Sequence, residues 1–144
     1  MKIEILTLMI LAVLGGEARA DTVIDPALNK SAWVGQKLVK RKCGACHSFS
    51  EVPRKRMGPG LFGIVGRPAG SSPEYRYSTA MSLSNITWTR DALDQYLQNP
   101  GKMIPGNKMR GIKVRSQKDR TRILDYLETL REKECLPPKK PQVS

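Results

Sequence analysis

Histidine is nearly absent from this chain: one residue, His47, in 144. Cysteine is scarce as well, with Cys43, Cys46 and Cys135 the full set. Three is an odd number, so a framework built only of intramolecular disulfides would leave one thiol over. Acidic residues are outnumbered, 13 against 25 lysines and arginines, for a formal charge of +12. Long apolar runs are missing too. The longest, from Ile5 to Leu14, has about half the roughly twenty residues that a membrane-spanning helix needs. No period-2 alternation marks a strand, and no segment resembles a helix-turn-helix, a zinc finger or an RNA-binding platform. These absences argue against a disulfide scaffold, a sheet-rich domain and a nucleic-acid reader.

The first residues read as an export signal. Lys2 precedes the short apolar run, and Ala18-Arg19-Ala20 supplies small residues in an A-x-A pattern, so residues 1–20 are expected to be a signal peptide cleaved after Ala20. Removing it takes away Lys2, Arg19, Glu4 and Glu17 and leaves the charge unchanged. Periplasmic location is the resulting expectation. Residues 21–30 read as an N-terminal extension, residues 31–134 as the domain, and residues 135–144 as a flexible basic, proline-rich tail.

The chemistry is concentrated in Cys43-Gly-Ala-Cys46-His47. A thioredoxin-like redox pair needs a βαβ context that the surrounding residues do not supply. A zinc site needs four ligands, and the chain has one histidine and one further, distant cysteine. Attachment of a c-type haem needs only this pattern. Three-residue spacing places both thiols on one side of a helical turn, where they can form thioethers, and the next residue presents an imidazole. A single histidine rules out bis-histidine ligation. The sixth ligand is then Met, Lys, Asn, Tyr, water or nothing, with Met57, Met81, Met103 and Met109 available beyond the leader.

Around this motif the chain reads as all-α with long loops. Residues 31–42 carry Ala32, Trp33, Val34, Leu38 and Val39 at helical spacing, with Gly35 a candidate for close helix–helix approach. Residues 50–75 are dense in proline and glycine; the patch Leu61-Phe62-Gly63-Ile64-Val65 is the expected contact with the cofactor. Thr89 opens a second helix, stopped by Asn99-Pro100-Gly101. A loop follows. Ser116 to Asp119 fits a capping box for a last helix running to about Glu134.

The ordered set of landmarks resembles class I c-type cytochromes, of the mitochondrial and soluble bacterial kind. It comprises CGACH at 43–47, GPGL at 58–61, Arg67, Tyr77, ITW at 86–88, YL at 96–97 before Pro100, IPGNKM at 104–109 and YL at 126–127. The resemblance covers about residues 35–131 and implies the all-α cytochrome c fold around one haem c, covalent through Cys43 and Cys46. It further implies His47 and Met109 as the iron ligands and the Pro59 carbonyl as acceptor from His47. Arg67, Tyr77 and Trp88 would hold the propionates, and Tyr96 would lie near the methionine sulfur. Gly35 and Tyr126 would mark the crossing of the first and last helices. Met57, Met81 and Met103 are then expected as core fillers.

One departure stands out. The family's aromatic two residues after the ligand methionine is replaced by Gly111, and the glycine two residues further on by Lys113. A haem edge more open to solvent and a weaker bond to Met109 are expected, with Lys108 and Lys113 as competing ligands at high pH. Cys135 is spare, either a plain residue at a helix end or a site of intermolecular pairing.

The resemblance implies a one-electron carrier and not an enzyme, expected as a monomer. Its partners would be acidic-faced redox proteins such as a reductase, an oxidase or a periplasmic dehydrogenase, with an anionic membrane surface as a second target for the same charge. Lys42, Lys102, Lys108, Arg110, Lys113 and the run Arg54-Lys55-Arg56 supply that charge. Two other readings stay open: a haem protein whose labile methionine permits peroxidase or gas-binding activity, and a dedicated cytochrome subunit of one oxidoreductase.

Overall fold

The computed structural model describes residues 26–52 and 54–131 of the chain. The expectations for the leader, the first part of the extension, Cys135 and the tail lie outside these residues. Among these residues five helices follow in order: α1 Pro26–Cys43, α2 Thr79–Ser82, α3 Arg90–Gln98, α4 Pro100–Met103 and α5 Gln117–Thr129. Among the described residues there is no strand, only one isolated antiparallel bridge between Pro68 and Thr87. The fold is all-α.

α1 starts at Pro26, five residues before the domain boundary expected at 31. Proline is tolerated in the first turn of a helix because the amide hydrogen it lacks would have no intrahelical partner there. So residues 26–30 begin α1. Ala32, Leu38 and Val39 turn inward. Lys40, Arg41 and Lys42 fill the last turn, where the carbonyl end of the helix dipole favours cations.

α5 is the principal partner of α1, and α3 also packs on α5. The crossing of α1 and α5 is set by Gly35, since a Cβ there would overlap the Arg122 carbonyl oxygen and lie 2.9 Å from the Tyr126 Cβ. Backbones this close leave room only for hydrogen, as the sequence suggested. Ile123, Leu124, Tyr126, Leu127 and Leu130 carry the α5 side of the core. A polar clasp joins the three helices. Ser31 on α1 donates to Asp125, while Arg90 on α3 donates to Asp125 at 2.5 Å and to Glu128 at 2.7 Å. Asp125 is buried, and partners from two helices leave it no uncompensated charge.

Both expected caps are present. The Thr89 side chain accepts from the Ala92 amide, and the Ser116 side chain from the Asp119 amide. α5 ends sooner than expected, at Thr129 with Leu130 as its cap and not near Glu134. Asn99 does stop α3, but Pro100 then begins the one-turn helix α4. Met81 is buried and Met103 packs against the core. Met57 is 75% exposed, so it is no core filler: it sits in the turn-rich stretch where no helix face carries it inward.

Arg120 is buried at 3% exposure. Its guanidinium donates to Asp94 on α3 at 2.8 Å and to the carbonyls of Val114 and Arg115. It thereby ties the segment before α5 to the rest of the domain.

Candidate functional site

α1 runs directly into the cysteine motif. The amides of Cys46 and His47 both donate to the Cys43 carbonyl, at 3.0 and 2.9 Å. This extra turn brings Cys43, Cys46 and His47 to the wall of one cavity of about 350 Å³. Leu61, Ile64, Leu93, Leu97, Ile123 and Leu127 give that cavity apolar walls. Of the patch expected at 61–65, Leu61 and Ile64 line it, while Phe62 and Val65 pack against the core.

The imidazole is fixed from two directions. His47 Nδ1 lies 2.8 Å from the Pro59 carbonyl oxygen. A carbonyl only accepts, so Nδ1 carries the proton and Nε2 keeps its lone pair for a metal. Gly58 abuts the ring: a Cβ there would sit 2.5 Å from Cε1. The Gly58 amide donates to the Cys46 carbonyl at 2.8 Å, which holds this segment against the motif. Burial lowers the His47 pKa below its usual 6.5, keeping the ring neutral and able to coordinate.

Burial also pushes the Cys43 thiol up to about 11. The described residues contain no cluster of three His, Cys, Asp or Glu side chains able to hold a metal by themselves. Thioether formation leaves each sulfur neutral, which this apolar setting accepts.

Met109 reaches the same cavity from the segment after α4. Ile104, Pro105, Gly106 and Asn107 form a turn closed by the Asn107 amide on the Ile104 carbonyl at 3.2 Å. Gly106 has φ +87°, the left-handed conformation that a type II turn demands at its third position. Asn107 is fully buried at 0% exposure, and the Met109 amide donates to its Oδ1 at 2.7 Å.

Cys43, Cys46, His47, Pro59, Tyr77, Trp88, Tyr96 and Met109 all line the cavity; Arg67 does not. Its guanidinium donates instead to the carbonyls of Gly60, at 2.7 Å, and Phe62, at 3.1 Å. Burial raises the pKa of the Tyr77 phenol, which keeps it a donor. The Tyr96 hydroxyl donates to Asn107 Oδ1 at 3.1 Å. Reading the residues alone missed Tyr75 and Ser78, which line the cavity together with Met81 and Lys108, and the role of Asn107. Asn107 stood inside the quoted IPGNKM, but nothing in the spacing showed that its side chain turns inward. Lys108 Nζ donates to the Arg76 carbonyl and lies 5.2 Å over the Tyr75 ring.

The mouth of the cavity is partly apolar and partly cationic. Met57 and Ile112 line it while being 75% and 53% exposed, and Lys42 and Lys108 stand beside them. Gly111, Ile112 and Lys113 are all exposed.

These donors suit a haem: two thiols for the vinyl groups, a neutral imidazole with its outer nitrogen occupied, a thioether, and apolar walls. Fold and site together define a c-type cytochrome. No protein-family model matches the chain. It is 39% identical over 98 residues to cytochrome c of Euglena viridis, covering 68% of this chain and 95% of that protein. It is 38% identical over 106 residues to cytochrome c of Arabidopsis thaliana, covering 74% and 95%. Cytochrome c2 of Rhodopila globiformis is 40% identical over 97 residues, covering 67% and 91%. Among solved structures, cytochrome cH from Methylobacterium extorquens superposes with a TM-score of 0.63 at 36% identity, covering 68% of this chain and 97% of that one. The chain belongs to the cytochrome c family, as a class I c-type cytochrome carrying one covalent haem c.

Proposed function

We propose that this protein is an exported, periplasmic one-electron carrier whose haem iron is held by His47 and Met109. The supporting observation is that one apolar cavity is lined by both the imidazole, with Nδ1 engaged by Pro59, and the Met109 thioether. Haem bound there stores one electron reversibly, and a soft neutral thioether ligand favours the reduced state and raises the potential.

The residues around it set the rest. Cys43 and Cys46 anchor the group, and Pro59 and Gly58 keep the imidazole from rotating. Leu61, Ile64, Leu93 and Leu97, which line the cavity, would exclude water from the bound group. Tyr77 and Trp88 carry donors for the propionates. Arg67 serves from behind by holding the Gly60 and Phe62 carbonyls. With His47 and Met109 both holding the iron, a substrate would find no coordination site, which favours a carrier over an enzyme.

Lys42 and Lys108 at the mouth, with the exposed Arg56, Arg110 and Lys113, give the electron-exchange side a positive field. That field steers the protein to acidic faces of a reductase, an oxidase or a periplasmic dehydrogenase in fast, weak, salt-sensitive encounters. Export follows from the pattern of residues 1–20. No helix among the described residues is long and apolar enough to cross a membrane.

The test is the absorption spectrum of the oxidised protein through the red edge, beside Met109→Ala. A weak iron–sulfur charge-transfer band in the wild type and not in the variant supports the ligation. Identical spectra refute it. The exposed stretch Gly111–Lys113 favours a second reading, a labile Met109 with gas-binding or peroxidase activity; carbon monoxide binding to the reduced wild type at neutral pH would bring that reading forward.

A further inference from the structure

We infer that Asn107 is the positioning residue for the distal ligand, setting how readily Met109 leaves the iron; this rests on the reading of Met109 as that ligand. The Asn107 side chain is saturated. Its Nδ2 donates to the Pro100 carbonyl at 2.7 Å and the Ile104 carbonyl at 2.6 Å, and its Oδ1 accepts from the Tyr96 hydroxyl at 3.1 Å and the Met109 amide at 2.7 Å. An asparagine amide has two donors and two acceptor sites, and each is used once. Residue 107 is also 0% exposed, so water does not compete for any of them.

The geometry joins three points on two helices to one backbone amide. Tyr96 belongs to α3, Pro100 opens α4, and Ile104 caps α4. Acceptance by Oδ1 from the amide two residues on is an Asx turn, which fixes the local chain. Methionine is unbranched with three rotatable bonds, and its sulfur finds the iron only if its Cα is held nearby. Asn107 holds it before the ligand binds, so less freedom is lost on ligation.

The chain on the other side of Met109 gives much less support. The Ile112 amide closes a turn on the Met109 carbonyl at 3.0 Å. Residues 110–113 are exposed, and a Cβ added at Gly111 would meet nothing within 4 Å. The next firm anchor is the Val114 amide on the Leu97 carbonyl at 2.8 Å. Retention of Met109 therefore depends on the upstream side, where Asn107 is the one buried side chain bonded to the ligand's own amide.

The same geometry revises the part played by Tyr96. Its hydroxyl is spent on Asn107 Oδ1, so it acts on Met109 through Asn107.

The experiment uses haem-loaded full-length protein at pH 7 and imidazole as the competing ligand. Four variants are compared with the wild type: Asn107→Ala, Asn107→Ser, Leu130→Ala and Met109→Ala. Leu130 is buried and does not line the cavity, so Leu130→Ala reports what general destabilisation does. Asn107→Ala is expected to bind imidazole on the order of tenfold more tightly than wild type, the scale of one lost buried hydrogen bond held against a competitor. Hydrogen exchange at the Met109 amide is expected to quicken by a similar factor. Asn107→Ser, whose hydroxyl accepts from the same amide more weakly, is expected to fall between. Leu130→Ala is expected to match wild type in imidazole affinity. An Asn107→Ala affinity within about twofold of either wild type or Leu130→Ala overturns the inference. If Asn107→Ala does not load haem, Asn107→Ser is judged by the same twofold limit. An unchanged spectrum in Met109→Ala refutes the ligation itself. A changed spectrum there, with unmoved Asn107 variants, refutes only the role of Asn107.

Discussion

Gly58→Ala is the sharpest single test of how the imidazole is held. A Cβ at this position would lie 2.5 Å from His47 Cε1, 2.8 Å from Nδ1 and 3.0 Å from Nε2, where ordinary contact begins at 3.4 Å. Ring and backbone must therefore separate by about 0.9 Å, the difference between 3.4 and 2.5. Neither is free to move. The ring is bound to the Pro59 carbonyl at 2.8 Å, and the Gly58 amide to the Cys46 carbonyl at 2.8 Å. Forcing an extra methyl into a packed site costs about 1–3 kcal/mol. Breaking the His47–Pro59 bond adds about 0.5–1.5 kcal/mol. Together the loss is roughly 1.5–4.5 kcal/mol, a large share of the stability of a small domain. Equilibrium unfolding of the haem-loaded protein in urea measures it as a fall in midpoint at constant slope. The visible spectrum reports the displaced ligand. Gly111→Ala is the matched control, with open space around the added methyl. A Gly58→Ala protein within about 0.5 kcal/mol of wild type, with an unchanged spectrum, would refute the reasoning.

Two further outcomes follow from the packing. Gly35→Ala should destabilise by about 2 kcal/mol in urea, because a backbone clash this severe lies at the top of the roughly 1–3 kcal/mol overpacking range and outweighs the roughly 1 kcal/mol gain in helix propensity. The colliding atoms belong to the Arg122 backbone and cannot swing aside, so a neutral or stabilising result would mean that α1 and α5 cross differently. Burial pushes the Tyr96 phenol from 10.0 up to about 12, so the folded chain keeps a proton that the unfolded chain loses. The stability this group contributes is whole below about pH 10 and disappears as pH rises through about 12, on the order of 2–3 kcal/mol. Tyr77 shifts in the same direction, so the comparison that decides is between wild type and Tyr96→Phe, which should show a shallower alkaline fall in urea midpoint. Equal slopes would count against Tyr96 as a source.

Much of the local structure could be read directly. Thr89 and Ser116 cap the helices they were expected to cap, because a hydroxyl ahead of a helix satisfies a nearby free amide whatever surrounds it. Gly35 was legible because a glycine in the middle of an amphipathic helix is costly without a reason such as close packing. Pro100 was read only as part of a helix stop, yet proline suits the first turn of a helix as well as the end of the one before it. Met57 lies in a stretch with no periodicity, so its hydrophobicity alone could not say whether it points inward. The Arg67 guanidinium bonds the Gly60 and Phe62 carbonyls, contacts five and seven residues away in a loop with no periodicity to display them.

The sequence by itself determined the covalent chemistry and the local geometry: two thiols and an imidazole at helical spacing, a Pro-Gly turn ahead of Met109, and helix caps. These depend on neighbours within four residues, and neighbours are what a sequence displays. Tertiary structure alone decided how Asn107 spends its amide, that Tyr96 acts through it, and that Ser31 meets Asp125 across 94 positions. Such contacts exist only once burial removes water as the competing partner, and burial belongs to the whole fold and to no segment of it.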